Sequence, residues 1–348
     1  MTTTSTSPSQ PATRDAQSRR SARPGGPGGA GRLQRTGRHV LQRYSLVLIW
    51  LLMIALFTVL LPGDVSGPEA LRAVFGSQTP LVFLGLGLVI TMAVGEFDLS
   101  FAAIFGVAAT TVPSLVVLYG WSFPAAAAAA LLLALLIGAL NALLVVFVGI
   151  NSVVVTLGVG SVAGGAAYFI SRETTVSGMD SALSVIALGR FLGLPLVFWY
   201  GVLLVAVAAY VMSATPIGRH MLFVGSNREV ARLAGIPVTK IRVGAYLASA
   251  LVCGLGGVVL SAGLGGFDPA TAETNLMPAF AGVFLGTVAV VPGRFNPVGM
   301  FIAVYFLLTG VFGLQLLGLA GWITNVFYGL ALVLAVTVSF LLQRRVRG

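Results

Sequence analysis

Charged residues are scarce in this chain of 348 residues. Asp, Glu, Lys and Arg together make up 9% of it, whereas hydrophobic residues make up 57%. A soluble globular protein carries about 25% charged residues. The shortage excludes an ordinary soluble domain and indicates an integral membrane protein.

Cysteine and histidine are also nearly absent. The one cysteine, Cys253, excludes an internal disulfide, and its apolar surroundings indicate a buried structural side chain. The two histidines, His39 and His220, lie far apart, so we expect no metal site. The chain lacks a GxxxxGK[ST] phosphate-binding loop and any recognisable catalytic set. We therefore expect no ATP hydrolysis by this chain itself, no other enzymatic activity and no cofactor.

The cations, in contrast, are in excess, with 20 Lys and Arg against 10 Asp and Glu. Many of them are concentrated at the two ends of the chain, at Arg14, Arg19, Arg20, Arg23, Arg32, Arg35, Arg38, Arg43, Arg344, Arg345 and Arg347. On a membrane protein, this distribution indicates cytoplasmic ends that contact anionic lipid rather than nucleic acid. Residues 1–43 are rich in Ser, Thr, Pro and Gly, which predicts a disordered basic tail.

Apolar runs near the length of about 20 residues that a helix needs to cross a bilayer recur along the chain. They lie at 45–62, 78–95, 99–119, 124–149, 152–171, 196–214, 243–264, 275–292, 297–318 and 322–342. The pattern predicts an all-α polytopic membrane protein with about ten transmembrane helices and with both termini in the cytoplasm. The transmembrane domain would then cover residues 44–343, between the tail at 1–43 and a second basic tail at 344–348.

The charges of the connecting segments agree with this topology. The expected outer segments, 63–79, 172–195 and 265–274, are neutral or acidic overall. The expected inner segment 215–242 carries five cations against Glu229 alone. Short segments rich in Lys and Arg stay on the cytoplasmic side.

Segment 215–242 also has the features of a small folded element. Ser226 and Glu229 have the Ser-x-x-Glu spacing of a capping box, and Gly235 followed by Pro237 predicts the end of a helix. A short, capped helix at the cytoplasmic face is a feature that another protein can bind.

Glu96 and Asp98 interrupt the apolar sequence in the segment Gly-Glu-Phe-Asp-Leu-Ser at 95–100. Acids within the bilayer indicate a functional site, whereas acids in a tight cytoplasmic turn are a solvated helix end. A discontinuous helix fits both alternatives, because unwound backbone is tolerated where it lines a protein cavity. Asn141, in the run GALNALLV at 138–145, either bonds between helices or faces a pathway.

Three segments together resemble a known family. GEFDLS at 95–100 is similar to a Gly-Gly-Ile-Asp-Leu-Ser signature, with Glu96 in place of the second Gly. GALNALLV at 138–145 with INSVVVTLG at 150–158, and the run from Thr215 through Gly257, are similar to two further signatures. The chain resembles permease subunits of ribose- and galactose-type carbohydrate ABC importers, within the family that includes branched-chain amino acid permeases. Asn275 departs from the Glu that many sugar permeases have there, which leaves the substrate open.

The resemblance implies a location and a set of partners. It implies a multi-pass protein of a bacterial inner membrane, with a cytoplasmic ATP-binding subunit, an extracytoplasmic solute-binding protein and a second permease copy, identical or related. It implies that segment 215–242 couples to the ATP-binding subunit, through Ser226, Asn227, Glu229, Ala231, Arg232 and Gly235. The candidates for the translocation pathway or its gate are Glu96, Asp98, Ser100, Asn141 and Thr156.

Two other functions remain open at this point. An ion-coupled secondary transporter would need charges within the membrane, and Glu96 and Asp98 are the candidates for it. A structural or assembly protein with no transport role would not need an organised cytoplasmic helix.

Overall fold

The protein is helical over most of its length. The structure, a computed structural model, describes residues 29–62, 67–76, 80–319 and 321–347. The first seven helices are α1 Gly29–Leu60, α2 Pro68–Gly76, α3 Pro80–Ala93, α4 Phe101–Pro113, α5 Phe123–Ala142, α6 Ser152–Ile170 and α7 Val185–Leu188. The remaining seven are α8 Leu196–Ala214, α9 Pro216–Ser226, α10 Arg228–Leu233, α11 Val238–Leu264, α12 Leu276–Gly286, α13 Pro297–Leu316 and α14 Trp322–Arg347.

Four two-residue strands complete the secondary structure of the described residues. They are β1 Val176–Ser177, β2 Arg190–Phe191, β3 Leu194–Pro195 and β4 Gly266–Phe267. β1 pairs antiparallel with β4, and β2 pairs antiparallel with β3. The pairing of β1 with β4 joins two segments that the charge pattern placed on the outer side, 172–195 and 265–274.

Among the described residues, six helices have both the length and the apolar composition needed to cross a bilayer. They are Phe101–Leu118, Phe123–Val148, Ser152–Ile170, Leu196–Ala214, Val238–Leu264 and Pro297–Leu316, where the first two continue α4 and α5 by a π-helical turn. Shorter apolar helices lie at Tyr44–Leu60, Pro80–Ala93 and Trp322–Val338. The mostly helical, polytopic architecture is therefore confirmed, whereas the count of about ten spans and the cytoplasmic termini stay predictions.

The apolar run at 275–292 differs from the expectation of a full span. Its helix, α12, has 11 residues, so it is about 17 Å long at about 1.5 Å per residue and does not cross a core of about 30 Å. The chain turns after Gly286, with positive φ angles at Val290 and Gly293. The apolar composition therefore predicted a longer helix than α12, because the turn after Gly286 depends on backbone conformation rather than on hydropathy.

The predicted disordered basic tail at 1–43 stays a prediction. Residues 1–28 and residue 348 lie outside the described residues, whereas α1 begins at Gly29. Helix propagation is cooperative, so an apolar helix can extend into a polar flank that contains good helix formers such as Leu33 and Arg35. At the other end of the chain, α14 extends to Arg347, and the basic tail at 344–348 stays a prediction.

The centre of the bundle is α11, which packs against α3, α4 and α5. Its glycines allow close approach: a Cβ atom on Gly257 would meet the backbone of α4, and one on Gly254 would meet Ala134 of α5. Small residues at helix contacts are the usual means of close packing in membranes. With 27 residues, α11 is about 40 Å long. It connects segment 215–242, which we call the coupling segment for its expected role, to β4 at the opposite end.

Candidate functional site

The site lies at the turn between α3 and α4, residues 94–100. Gly95 has a φ of +76°, a backbone conformation that side chains other than glycine rarely adopt. Glu96 and Asp98 follow it, and both are buried, with 1% of each residue exposed. A buried charge must be compensated by partners, and Glu96 and Asp98 have different partners.

Glu96 is held by two arginines from distant parts of the chain. Arg228 Nη2 donates to Glu96 Oε1 at 2.8 Å and also to the carbonyl oxygen of Gly95 at 2.8 Å. Arg242 Nε donates to the same carboxylate oxygen at 2.5 Å, and Tyr246 Oη donates to Oε2 at 3.4 Å. Arg228 is the first residue of α10, and Arg242 and Tyr246 belong to α11. One carboxylate therefore joins the 94–100 turn to both helices.

Asp98 is stabilised by neutral donors. Its Oδ1 accepts from the Ser100 backbone N–H at 2.8 Å and from Ser100 Oγ at 2.6 Å. Asn141 Nδ2 of α5 donates to Ser100 Oγ at 2.7 Å. Asp98 Oδ2 and Asn141 Oδ1 are buried and make no hydrogen bond with any described group. Burial raises the pKa of the Asp98 carboxyl, and the hydrogen bonds from Ser100 oppose the rise.

The start of α6 closes the turn from the other side. Thr156 Oγ1 accepts from the Leu99 N–H at 2.9 Å and donates to the Ser152 carbonyl at 2.8 Å. Ser152 Oγ accepts from the Phe97 N–H at 3.3 Å. The N-cap residue of α6, Asn151, accepts from the Val153 N–H at 2.9 Å. The turn is therefore fixed by hydrogen bonds to side chains of α6.

All five residues predicted for the pathway or gate meet at this turn. We call them the buried polar cluster: Glu96, Asp98, Ser100, Asn141 and Thr156. Each is at most 1% exposed, so in this conformation none presents its side chain to a solute. Glu96 and Asp98 lie in a turn but are buried rather than solvated, and their depth in the bilayer stays a prediction. Asn141 makes the hydrogen bond between helices that was one of its two alternatives.

The coupling segment forms two helices, α9 and α10, with a break at Asn227, and it ends in the first residues of α11. Asn227 is the N-cap of α10, and its Oδ1 accepts from the N–H groups of Glu229 and Val230, both at 3.1 Å. Ser226 instead ends α9 and donates to the Leu222 carbonyl at 3.0 Å. The predicted capping box of Ser226 and Glu229 is therefore wrong. Asn and Ser are comparable N-caps, so spacing alone could not decide between neighbours.

Replacing Asn227 with alanine is expected to loosen α10 selectively. The loss of an N-cap costs about 1 kcal/mol, so hydrogen exchange at the Glu229 and Val230 amides should accelerate about five-fold. The matched control is Ser226→Ala, which removes a bond within α9 and should leave those two amides unchanged. If exchange at these amides accelerated in Ser226→Ala but not in Asn227→Ala, Ser226 would be the N-cap, as the capping box predicts.

Residues of α10 divide into buried and exposed. Ala231 is fully buried, so it positions the helix and offers no surface to a partner. Glu229 and Arg232 are exposed and pair with each other at 2.7 Å. Leu233 is 78% exposed and was not expected to contribute. Gly235, with a φ of +77°, follows the end of α10, as predicted.

Five residues that contact Glu96 or lie exposed on α10 were not predicted from the sequence: Arg228, Val230, Leu233, Arg242 and Tyr246. Arg228 and Arg242 lie 132 and 146 residues from Glu96. The sequence held one signal for the two arginines. An acid in an apolar region needs a cation as its partner, and segment 215–242 is rich in cations. Within the described residues, no group of three His, Cys, Asp or Glu side chains could hold a metal ion.

Comparison with known proteins identifies the family. A family model described as "Branched-chain amino acid transport system / permease component" matches residues 71–336. The Autoinducer 2 import system permease protein LsrC of Escherichia coli O157:H7 is 29% identical over 287 residues, which is 81% of this chain and 83% of that protein. The protein of the same name from Salmonella paratyphi B is 26% identical over 292 residues, which is 84% of each chain.

The matched region contains the buried polar cluster and the coupling segment, and it confirms the resemblance inferred from the three signatures. The relatives give no support to an ion-coupled secondary transporter. The chain therefore belongs to the branched-chain amino acid transport system / permease component family and is a permease subunit of an ABC importer.

Proposed function

We propose that this permease conducts a monosaccharide or a related small polar solute, which an extracytoplasmic binding protein delivers and a separate ATP-binding subunit drives inward. A second permease copy, identical or related, would form the other wall of the pathway. One observation supports the coupling step above all: Glu96 binds Arg228 of α10 and Arg242 of α11 at the turn that begins α4. Through this carboxylate, a movement of α10 is transmitted directly to α3 and α4, which the turn joins, and to α11.

The proposed topology has ten membrane segments and cytoplasmic ends. Arg219 of α9, in the segment expected inside, lines the same pocket as Arg294. Segments expected outside meet through β1 and β4. The short α12 would be a discontinuous segment, since half-helices occur in transporters where the backbone is surrounded by protein.

The proposed docking surface for the ATP-binding subunit is α10. Its exposed side chains combine two apolar residues, Val230 and Leu233, with the Glu229–Arg232 ion pair. An apolar centre with a polar rim is the usual composition of a protein interface. In this proposal Asn227 and Gly235 define the two ends of the helix, and Ser226 ends the helix before it.

The proposed solute class is supported by a pocket of about 330 Å³ near the outer end. Its described lining carries amide and hydroxyl groups but no charged side chain; the polar residues are Thr274, Asn275, Gln315, Thr324, Asn325 and Tyr328. Groups of this kind hydrogen-bond to hydroxyl-rich neutral solutes. Two of the relatives carry a name that assigns them to autoinducer 2 import, and this chain is proposed to accept a solute of comparable size and polarity.

Replacing Leu233 with aspartate is expected to release the ATP-binding subunit. A charge at the centre of an apolar contact is left without a partner, and a central contact of this kind contributes about 2 kcal/mol or more to binding. The measurement is the molar ratio of ATP-binding subunit to permease after gentle purification of the coexpressed importer. We expect equal amounts for the wild-type chain and a ratio more than ten-fold lower for the variant.

The matched control is Leu192→Asp, because Leu192 is 76% exposed and lies in the segment expected outside. That variant should retain the ATP-binding subunit in equal amount. If Leu233→Asp also retains it, α10 is not the docking surface. If the wild-type chain copurifies with no ATP-binding subunit and moves solute on an ion gradient in liposomes, the proposed mechanism is wrong.

A further inference from the structure

An apolar groove lies between α3, α8, α9 and α11, and no residue of the buried polar cluster lines it. It has a volume of about 470 Å³, within the usual range for small-molecule sites. Leu86 of α3, Val207 of α8, Met221 of α9 and Val252 of α11 mark its four walls. Among the described residues that line it, Lys240 alone carries a charge.

We infer that this groove binds one acyl chain of an anionic phospholipid, whose phosphate group pairs with Lys240. The inference uses the proposed orientation, in which the coupling segment faces the cytoplasm, and it is independent of the solute and of the docking of α10. An apolar groove between membrane helices fits a hydrocarbon chain. A cation at its polar end selects for a negative headgroup.

The position of the groove supports a lipid occupant. Val207 of α8 is 51% exposed, and the neighbouring Leu203 and Tyr210 are 62% and 67% exposed. The groove is therefore continuous with an apolar outer face of α8, which in a membrane contacts lipid tails. Ile217, at the start of α9, is 57% exposed and lines the same groove, at the level where α8 ends and the polar segment begins.

Charge supports the same occupant. Lys240 is exposed and makes no hydrogen bond or ion pair with any described residue, in contrast to Arg228, Arg232 and Arg242 of the same segment. The core of a protein interface is depleted of charged residues, which makes a second copy of this chain a poorer complement to Lys240. A phospholipid supplies both the hydrocarbon and the anion.

Gly244 offers a way to fill the groove without disturbing the fold. It lies one helical turn after Lys240, on the same face of α11. A Cβ atom built on Gly244 meets no heavy atom within 4 Å. A leucine at this position would therefore extend into the groove rather than into a neighbouring helix.

The test is native mass spectrometry of the full-length chain in mild detergent, with phosphatidylglycerol or phosphatidylcholine added at equal concentration. We expect the wild-type chain to retain one phosphatidylglycerol in preference to phosphatidylcholine. Lys240→Gln should weaken phosphatidylglycerol retention about five-fold, since a basic residue near a membrane surface contributes about 1 kcal/mol, and leave phosphatidylcholine unchanged. Gly244→Leu should reduce retention of both lipids.

Two controls match these variants. Gly158→Leu places the same side chain at another helical glycine with nothing within 4 Å, and Arg190→Gln removes a cation from the opposite end. Both should behave as the wild-type chain does. The inference is overturned if Gly244→Leu retains lipid fully, or if Lys240→Gln keeps the preference for phosphatidylglycerol. It is also overturned if Gly244→Leu converts a dimer to monomers with unchanged lipid, because the groove would then bind a second copy.

Discussion

Glu96→Ala is expected to abolish coupled uptake and to lower the stability of the permease more than any other substitution considered for this protein. The change leaves Arg242, with 14% of its side chain exposed, without its carboxylate partner, and it also releases Arg228. Removing one member of a buried ion pair costs about 3 kcal/mol or more. The measurements are solute uptake by proteoliposomes and the thermal unfolding midpoint in detergent.

The control for Glu96→Ala is Glu229→Ala, which removes an acid from an exposed pair. The side chains of Glu229 and Arg232 are 65% and 71% exposed, so its effect on stability should stay below about 1 kcal/mol. Arg228→Gln separates folding from coupling, because the contact of Glu96 with Arg242 remains. That variant should fold normally, and the importer that contains it should hydrolyse ATP at its ATP-binding subunit without matching uptake. Normal uptake by both Glu96→Ala and Arg228→Gln would show that this carboxylate does not couple the helices.

Gly225→Ala is expected to have the next largest effect, by moving α9 away from the end of α3. A Cβ atom on Gly225 would collide with the carbonyl oxygen of Ala93 and would lie 3.3 Å from the backbone nitrogen of Gly95. These are backbone atoms of the end of α3 and of the turn that follows it, so no side chain can rotate away to make room. Overpacking of this kind costs about 1–3 kcal/mol. Because α9 precedes α10, the displacement should also break the bond from Arg228 to Glu96.

Gly165→Ala is the matched control, since a Cβ atom on this helical glycine meets nothing within 4 Å. It should leave uptake unchanged and should be neutral or slightly stabilising, as alanine favours a helix over glycine by up to about 1 kcal/mol. Uptake and the unfolding midpoint, measured on both variants side by side, distinguish a local collision from a general intolerance of larger residues. Equal behaviour of the two variants would contradict the close contact of α9 with α3.

The helical membrane architecture could be predicted because hydropathy and positive charge are summed over many residues. The same summation misjudged 275–292, where the composition is apolar throughout but α12 ends at Gly286. A Cβ atom on Gly286 would meet the backbone of Met300 in α13. The end of α12 therefore depends on a tertiary contact and on the turn that follows, and neither is visible in hydropathy.

The candidate site could be predicted in part. Glu96 and Asp98 were conspicuous because acids are rare in apolar sequence, and the coupling segment was conspicuous because cations are concentrated in it. That Arg228 and Arg242 bind Glu96 could not be predicted, because the contact spans more than 130 residues. The choice of Asn227 over Ser226 as N-cap was also beyond the sequence, since both residue types suit that position. Family signatures indicated where the site lies, and geometry assigned the partners.

The pairing of β1 with β4 has a consequence for encounters at the end of the bundle that is expected to lie outside. Val176 pairs with Phe267, and Ser177 pairs with Gly266. Two segments about 90 positions apart in the chain therefore share one hydrogen-bonded ribbon. Ordering a flexible loop on binding costs about 1–2 kcal/mol for each residue that becomes fixed. Because the ribbon is already formed, a protein that binds there contacts a pre-organised surface, and less conformational entropy is lost on binding.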